Sequence, residues 1–344
     1  MQTPSTAGQA PTADPPSPTS VRRQRRVFLL GATGTIGRAT VRALLQQGHE
    51  VVAFGRSRPP DGSAGNVPGL QWRSGDLHDP ESFARDGVRG ERFDVLLSCL
   101  ASRTGAPRDA WAIDHQAHLL ALDAARAAGV RQVVLLSAIC VQKPLLGFQH
   151  AKLAFERALI DSGIDYSIVR PTAFFKSLSG QVERVRQGRP YLVCGDGTLT
   201  ACKPISDDDL ADYLVGCIDD PQRLRRILPI GGPGEALTPR QQGEDLFRLL
   251  GRPPRFKHVP VKLLDFIIAG LSVAGRVVPR LADKAELARI GRYYATESML
   301  VLDPVSGRYD AAATPSTGTQ TLVDYHERLL RGEAVLERGE HAVF

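Results

Sequence analysis

The sequence of 344 residues is poor in cysteine, with five residues at positions 99, 140, 194, 202 and 217 and no C-x-x-C spacing. An odd number of scattered cysteines does not form a disulfide framework, and the absence of close pairs excludes the usual zinc and iron–sulfur motifs. We therefore expect reduced thiols, each a small buried apolar side chain. The prediction is a cytosolic protein without a metal site of its own.

Excess positive charge is also scarce. The formal net charge is +6, but residues 1–26 supply +3 of it, because Arg22, Arg23, Arg25 and Arg26 are offset only by Asp14. The remaining +3 is too little for the strongly basic face that nucleic-acid binding requires. We expect no nucleic-acid partner.

No run of apolar residues is long enough to span a bilayer. The most apolar stretch, residues 261–278, has an uncharged core of only residues 266–275, and Lys262, Asp265 and Arg276 interrupt its flanks. We interpret this stretch as a helix that is buried or that covers a substrate. Contact with a membrane surface is the alternative interpretation.

Both ends of the chain are predicted to be tails. Residues 1–25 lack apolar runs and are rich in Pro, Ser, Thr and Ala, so they cannot offset the entropy cost of ordering and should be disordered. Arg25 and Arg26 resemble a twin-arginine export signal, but the apolar run behind them is too short. An organelle transit peptide stays open, because the tail is poor in acidic residues. Residues 336–344 form the second predicted tail.

Short apolar runs alternate with helical patterns through the first half of the chain, which is typical of a parallel sheet covered on both faces. Strands are predicted at residues 27–30, 51–54, 70–73, 95–98, 133–137 and 166–169, and helices at residues 36–47, 107–128 and 147–162. The pattern weakens beyond residue 180, where helices are predicted at residues 207–218 and 238–250. The predicted fold class is α/β, with a doubly wound parallel sheet of Rossmann type over residues 26–180. A smaller α+β substrate-binding region is predicted over residues 181–335, with strands that return to the Rossmann core.

A glycine motif follows the first predicted strand and opens the first predicted helix. It reads Gly31-Ala32-Thr33-Gly34-Thr35-Ile36-Gly37. The first glycine permits a tight turn, the second lets the backbone approach a pyrophosphate, and the third lets the helix and strand pack closely. Phosphates would rest on the N–H groups of the helix N-terminus, where the helix dipole favours negative charge. The motif in this position predicts a dinucleotide site.

The end of the second predicted strand indicates which dinucleotide binds. An NAD-specific protein usually has Asp or Glu there to hold the ribose hydroxyls, whereas this chain has Arg56, Ser57 and Arg58. Guanidinium groups suit the 2′-phosphate of NADP, so we predict NADPH as the cofactor. Further contacts are predicted after the third, fourth and sixth strands, at Asp76, Leu77, Cys99, Leu100, Ala101, Pro171, Thr172 and Phe174.

The glycine spacing and the order of elements resemble the extended and atypical short-chain dehydrogenase/reductases. In that superfamily a serine ends strand five and a Tyr-x-x-x-Lys pair lies on the next helix, with tyrosine as proton donor and lysine holding the nicotinamide ribose. Ser137 and Lys152 occupy the serine and lysine positions, but the tyrosine position is Phe148. A phenyl ring cannot donate or accept a proton, so we do not expect alcohols and ketones to be interconverted by the usual route.

Several segments carry a more specific resemblance. Residues 131–140, 148–156, 169–176 and 293–301, with Asp303 and Pro304, resemble the NADPH-dependent divinyl chlorophyllide a 8-vinyl-reductases of chlorophyll and bacteriochlorophyll synthesis. The C-terminal block is more diagnostic than the glycine motif, which the whole superfamily shares. The resemblance implies hydride transfer from NADPH to the C8 vinyl group of a magnesium tetrapyrrole, completed by a proton.

An alkene has no oxygen to protonate, so the missing tyrosine is tolerable if another group protonates the carbon. Lys152 or an ordered water is the candidate donor, Ser137 and His150 are further candidate catalytic residues, and His150 is also a candidate magnesium contact. A flat apolar substrate needs an apolar slot with a few polar anchors. Candidate substrate-binding residues are Phe148, Phe174, Phe175 and residues 261–278 for the walls, and Lys176 or Arg170 for a carboxylate.

Two other functions stay open from the sequence. An NmrA-type regulator keeps the NADP-binding loop, lacks the catalytic tyrosine and senses redox state by binding a protein partner, which also fits Phe148. Another reductase of the superfamily is the second, whereas a sugar-nucleotide epimerase is disfavoured because it needs the missing phenol. The expected location is the cytoplasm, with peripheral contact to a photosynthetic membrane as an alternative, or a plastid if the source is a phototrophic eukaryote.

Overall fold

The structure is a computed structural model that describes residues 23–56 and 67–335. These residues form strands β1 (Arg26–Leu30), β2 (Glu50–Gly55), β3 (Leu70–Ser74), β4 (Val95–Ser98), β5 (Gln132–Leu136), β6 (Asp165–Pro171), β7 (Tyr191–Cys194), β8 (Arg226–Ile230), β9 (Phe256–Val259), β10 (Val301–Leu302) and β11 (Tyr309–Asp310).

The helices of the described residues lie between and after these strands. They are α1 (Thr35–Gln46), α2 (Pro80–Ser82), α3 (Pro107–Ala110), α4 (His118–Ala127), α5 (Gly147–Asp161), α6 (Phe175–Leu178), α7 (Val182–Arg186), α8 (Asp207–Val215), α9 (Pro239–Leu249), α10 (Val261–Ala274), α11 (Pro279–Thr296) and α12 (Leu322–Arg331). Two π-helical segments, Phe83–Val88 and Trp111–Ala117, and one 3₁₀ turn, Ile139–Gln142, accompany them.

Seven strands form one parallel sheet in the order β3-β2-β1-β4-β5-β6-β8. The central strands β4 and β5 are buried along their whole length, as a parallel strand covered by helices on both faces must be. The strand order reverses between β1 and β4, which confirms the predicted doubly wound topology of Rossmann type.

The six strands expected from the sequence are present, but the strands after residue 180, β7 to β11, were not located individually. Among them β8 joins the main sheet. Strand β8 contains Pro229, which cannot donate a hydrogen bond to a neighbouring strand, and a proline in a sequence argues against a strand there. β8 lies at the outer edge of the sheet, where the lost donor is tolerated. The chain beyond residue 180 thus contributes β8 to the main sheet.

The two faces of the sheet carry separate hydrophobic layers. Along β1, Val27 and Leu29 pack with α1 and α8 on one face, and Phe28 and Leu30 pack with α4 and α5 on the other. This division follows from the alternation of side chains along a strand. The core is therefore two apolar layers on one sheet, and the carboxyl ends of the strands are left free for a ligand.

The helical run predicted at residues 107–128 is interrupted by the π-helical segment Trp111–Ala117 between α3 and α4. A π-helical turn contains an extra residue, so the helix faces shift relative to the 3.6-residue period on which the sequence prediction relied. Because of this shift, Asp114 is 2% exposed inside a segment that was expected to bury only apolar side chains.

The region 181–335 contains a parallel pair, β7 with β9, and an antiparallel pair, β10 with β11. Its most apolar stretch was interpreted as one buried or substrate-covering helix, but α10 ends at Ala274, the chain turns, and α11 returns. No residue of α10 is buried, so burial was the wrong expectation. None of the described helices combines the length and apolar character needed to cross a bilayer.

The predicted tails lie outside the described residues, apart from residues 23–25. The side chain of Arg25 forms ion pairs with Asp219 at 2.6 Å and with Asp94 at 3.4 Å. These contacts tie the chain to the body of the fold before β1 begins, so the ordered part starts earlier than residue 26.

Candidate active site

The candidate site lies at the carboxyl ends of the parallel strands, where the sheet order reverses between β1 and β4. In open α/β sheets, ligands bind in the crevice at such a switch point. The loops after β1, β2, β4, β5 and β6 meet at this edge because all these strands are parallel. These loops contain most of the residues that the sequence predicts to bind the cofactor.

Three glycines shape the loop after β1. Gly31 has a φ of +76°, and a Cβ added there would lie 2.5 Å from the backbone of the loop after β4. A Cβ added at Gly37 would lie 2.0 Å from the carbonyl oxygen of Gly31. At Gly34 the nearest heavy atom is that same oxygen at 3.6 Å, which is an ordinary contact. The protein's own packing therefore requires glycine at positions 31 and 37, whereas Gly34 leaves space for a ligand.

Helix α1 starts at this loop without a side-chain cap, since its N-cap is Gly34. The N–H groups of a first helical turn have no intrahelical acceptor and can bind a phosphate. Arg38 reaches back from α1, and its Nη1 donates a hydrogen bond to the carbonyl oxygen of Thr33 at 2.7 Å. The loop thus fits a pyrophosphate, with a guanidinium at its edge. The sequence interpretation missed Arg38, although its position directly after the third glycine was a usable signal.

The adenosine end of the crevice is described only in part. Arg56 is exposed directly after β2, and Ser57 and Arg58 lie outside the described residues. Asp76 is exposed, and its carboxylate accepts a backbone N–H two residues further on at 2.9 Å. Leu77 is 4% exposed and packs into the core, so its side chain is not placed to border an adenine as predicted.

The loop after β4 contacts the glycine loop directly. The Cys99 thiol lies 3.5 Å from Oγ1 of Thr40 on α1, and burial raises its pKa to about 12. Such a thiol stays neutral and has no nucleophilic role at neutral pH. Leu100 is partly buried against the core and Ala101 is exposed. These three residues follow β4 at the carboxyl edge of the sheet, and their contact with the cofactor stays a prediction.

The chain after β6 forms the neighbouring wall. Pro171 ends the strand, and Thr172 is 5% exposed and donates its hydroxyl to the carbonyl oxygen of Lys203. Phe174 is partly buried against the layer of α1 and α8. The structure brings all three predicted residues to the crevice edge, but the hydroxyl of Thr172 already has a protein acceptor.

Lys152 on α5 pairs with Asp114 of the π-helical segment. The Lys152 Nζ lies 2.9 Å from Asp114 Oδ1, and the two side chains are 13% and 0% exposed. Burial alone would raise the pKa of Asp114. The Lys152 charge and hydrogen bonds from Ser102 and Lys152 together outweigh burial, so the pKa lies below its ordinary value. The Asp114 Oδ2 is buried and has no hydrogen-bond partner within residues 23–56 and 67–335. An unused acceptor beside Lys152 suits a ribose hydroxyl or an ordered water.

Ser137 and Arg170 belong to a buried network around Glu156. The Ser137 hydroxyl donates to Glu156, and the Arg170 guanidinium forms an ion pair with the same carboxylate. Ser137 and Glu156 are 5% and 2% exposed. Ser137 donates its one hydroxyl proton to Glu156, and the charge of Arg170 is paired with the same carboxylate. The network therefore joins the end of β5, α5 and β6. The catalytic role of Ser137 and the substrate contact of Arg170 stay predictions for groups that already have protein partners.

His150 lies away from the site. Each residue of an α-helix advances about 100°, so His150 is rotated by about 160° from both Phe148 and Lys152. Its side chain is exposed on that outer face of α5. The structure does not bring His150 to the cofactor crevice, which corrects the prediction that it is catalytic.

Phe148, at the position of the missing tyrosine, faces the C-terminal region. It is 8% exposed and packs with Cys140 from the turn after β5 and with Tyr293 and Met299. Gln149 supports this contact, because its Nε2 donates to the carbonyl oxygen of Cys140 at 3.1 Å. The block 293–301 therefore packs directly against the position where the superfamily has its proton donor.

The two residues at the start of α6 lie on the other side of the crevice. Phe175 is 3% exposed, and its ring packs on Tyr325 with 5.5 Å between ring centroids. It is thus mainly a core residue, although it also lines the cavity that Lys176 borders. Lys176 lines a cavity of about 290 Å³ together with Thr35 and Asp207. Because Thr35 starts α1, this lysine lies near the pyrophosphate end of the crevice.

Comparisons with known proteins agree with this geometry. A family described as NAD(P)H-binding matches residues 31–221. The chloroplastic divinyl chlorophyllide a 8-vinyl-reductase of Oryza sativa subsp. indica is 50% identical over 331 residues, covering 92% of this chain and 82% of the rice protein. The Arabidopsis thaliana protein of the same name is 45% identical, covering 91% and 79%. The solved NADPH complex of the Escherichia coli quinone oxidoreductase QOR2 superposes with a TM-score of 0.62 at 20% identity, over 88% of this chain and 99% of that chain.

The two kinds of glycine in the loop give a matched pair of variants. Gly37→Ala should lower the free energy of unfolding by about 3 kcal/mol, because its Cβ would overlap the Gly31 carbonyl. Gly34→Ala should change it by less than about 1 kcal/mol yet weaken NADPH binding by roughly tenfold or more, because its methyl group occupies the ligand's space. Urea denaturation and fluorescence titration measure both. Wild-type NADPH affinity in Gly34→Ala would contradict the assignment.

Asp114→Asn should lower the free energy of unfolding by about 3 kcal/mol at pH 7, because it leaves the partly buried Lys152 ammonium without its anion. Since the pKa of Asp114 lies below its ordinary 3.8 in the folded state, this contribution is complete above about pH 5 and decreases as the pH falls below 4.

The control is Asp123→Asn, on the neighbouring turns of the same helical run. Its carboxylate is 73% exposed and pairs with Arg126 at 3.6 Å, so the expected change is below about 0.5 kcal/mol. Denaturation at pH 7 and pH 3.5 measures the free energy of unfolding of both variants. Equal losses for Asp114→Asn and Asp123→Asn would show that the buried ion pair stabilises the fold no more than the exposed one.

Proposed function

Because this chain belongs to the divinyl chlorophyllide a 8-vinyl-reductase family of NAD(P)H-binding proteins, we propose that it reduces the C8 vinyl group of a divinyl chlorophyllide to an ethyl group. It is an NADPH-dependent oxidoreductase that acts on a carbon–carbon double bond. The macrocycle, with its magnesium ion, is the substrate, so the ion arrives with the pigment.

The main support for this proposal is how much of the chain resembles the plant reductases. The NAD(P)H-binding match ends at residue 221, whereas the similarity to the named plant reductases extends over more than nine-tenths of the chain. It therefore includes the C-terminal region that packs on Phe148. A protein that shares only the dinucleotide fold has no reason to keep that region, because the cofactor binds at the strand ends.

NADPH supplies a hydride when it is bound, and the residues at the strand ends fit it. The backbone at Gly34 and the N-terminus of α1 would hold the pyrophosphate, with Arg38 beside it. Arg56 follows β2, where its guanidinium would hold the 2′-phosphate. Lys152, held by Asp114, would bind the nicotinamide ribose. These residues bind and orient the cofactor and carry no covalent chemistry.

The substrate site lies beside the contact between the two halves of the chain. Phe148 and the turn containing Cys140 come from the first half, and Tyr293 of α11 packs into the same apolar cluster. Loss of the superfamily's phenol at position 148 is compatible with this reaction, because an alkene offers no oxygen for it to protonate. A planar pigment with an apolar body fits such a lining better than a sugar nucleotide does.

The rival is an NmrA-type sensor that binds NADPH and does not react. Mixing the purified protein, NADPH and divinyl chlorophyllide distinguishes the two. We expect NADPH oxidation together with a shift of the pigment's absorbance, and a product heavier by two hydrogens. The monovinyl pigment, which already has an ethyl group at C8, is the matched control and should cause no oxidation. A folded protein that binds NADPH but shows no pigment-dependent oxidation would favour the sensor.

The place of action is a finer proposal. The plant relatives are named as chloroplastic, and this chain acts in the cytoplasm or in a plastid beside the photosynthetic membrane. One apolar stripe of α10 supports membrane contact, with Leu263 48%, Phe266 75%, Ile267 44% and Val273 63% exposed, and Val277 84% exposed in the turn beyond.

Charge complementarity identifies the surface that the stripe would contact. Lys262, Arg276, Arg280 and Lys284 are exposed on the same helical hairpin. They outnumber its exposed carboxylates, Asp265 and Asp283. Basic residues around an apolar helix face favour a membrane that contains anionic lipids, because the two attractions add. We therefore propose that the α10–α11 hairpin lies on an anionic lipid surface.

Co-sedimentation with vesicles tests the membrane contact. The protein should bind vesicles of phosphatidylcholine and phosphatidylglycerol better than phosphatidylcholine alone. Phe266→Asp should lower its partition coefficient by roughly tenfold, because a buried phenyl ring contributes about 1.5–3 kcal/mol. Val305→Asp is the control, since Val305 is 95% exposed in a turn outside the hairpin. Equal binding of Phe266→Asp and the wild type would exclude the hairpin as the contact.

A further inference from the structure

Reduction of a vinyl group needs a proton as well as a hydride, and the usual donor of the superfamily is absent. This inference rests on the proposed function. Position 148 is a phenylalanine, which has no exchangeable proton. Lys152 pairs with Asp114 and is assigned to the nicotinamide ribose, and His150 lies on the far face of α5. The proton therefore comes from an ordered water or from another element that reaches the same crevice.

Helix α11 brings two neighbouring phenols to the residues around Phe148. The first, Tyr293, is 3% exposed and belongs to the same apolar cluster as Phe148. Its hydroxyl lies 2.9 Å from the carbonyl oxygen of Cys140 and 3.0 Å from that of Lys143. Tyr293 can donate its single proton only to these two acceptors, so it fixes α11 to the turn after β5.

The second phenol, Tyr294, has no such strong acceptor. Its hydroxyl lies 3.9 Å from the Sγ of Cys140, and a thiol sulfur is a weak acceptor. The residue is 42% exposed, and its ring meets that of Tyr293 edge-on with 5.7 Å between the centroids. Burial around the hydroxyl raises the pKa of Tyr294 above the ordinary 10, so the phenol keeps its proton at neutral pH.

The contact with Cys140 places this hydroxyl at the crevice. Cys140 lies in the turn directly after β5, at the carboxyl edge of the sheet where the dinucleotide binds. It packs with Phe148 and with Ala151, the residue next to Lys152. The positive charge of Lys152 also acts on the Cys140 thiol, lowering its pKa against the larger opposing effect of burial. Tyr294 thus contacts, from α11, the turn that packs with Phe148.

We propose that Tyr294 is the proton donor for the vinyl reduction. One vinyl carbon receives the hydride from NADPH, and the other receives the proton of the Tyr294 hydroxyl. The carbon–carbon double bond becomes a single bond, NADPH is oxidised to NADP⁺, and the tyrosinate that remains takes a proton from solvent.

Tyr294→Phe tests this assignment, because it removes only the hydroxyl from a half-exposed ring. The variant should lose roughly a hundredfold or more in kcat, the range of a general acid, with the Kd for NADPH and the KM for the pigment within about twofold of wild type. Tyr309→Phe is the matched control, since the Tyr309 hydroxyl donates to Glu297 at 2.8 Å and has no part in the proposal. It should keep wild-type turnover.

The wild type and the variant test two separate claims. Absence of pigment turnover in the wild type refutes the proposed function itself. If the wild type turns over, near-normal kcat in Tyr294→Phe overturns the proton-donor assignment. Equal losses of kcat and NADPH affinity also overturn it, because they indicate a structural role. A solvent deuterium isotope effect on the wild-type kcat that disappears in the variant's residual activity supports it.

Discussion

Helix α1 can approach the end of β1 only because position 37 has no side chain, since a Cβ there would lie 2.0 Å from the carbonyl oxygen of Gly31. This approach sets the distance between the helix N-terminus and the strand ends, and so the depth of the crevice. The loop after β4 is fixed in the same way, because it closes on Gly31. The place of the pyrophosphate, and with it the direction of the dinucleotide along the sheet edge, follows from these contacts.

The reactive end depends on the meeting of the two halves of the chain. Lys152 is held by an ion pair with Asp114, a buried residue of the π-helical segment. Phe148 is covered by Tyr293, whose hydroxyl ties α11 to the turn after β5. The superfamily obtains its phenol and lysine from one helix, whereas this chain keeps the lysine there and brings its phenols on α11. Such a division suits a substrate with no oxygen at the reacting atoms.

Local chemistry made the fold and the cofactor predictable. Short apolar runs and the glycine motif have meaning within a few residues, and the motif at Gly31 was interpretable without any tertiary contact. The partners of Ser137 and Lys152 were not, because Glu156 and Asp114 meet them only after the chain has folded. The misplacement of His150 was avoidable, since the helical period alone separates it from Lys152. The exposure of α10 could not be predicted, because the sequence pattern of an apolar helix is the same whether the helix is buried or exposed to solvent.

We infer that a hydride passes from NADPH to the C8 vinyl group of a pigment bound beside the contact of Phe148 with α11. NADPH that carries deuterium at the transferred position of its nicotinamide tests it directly. Mass spectrometry and NMR of the product should find one deuterium in the new C8 ethyl group and none in the C3 vinyl group. Deuterium absent from the pigment, or present elsewhere in it, would contradict the account.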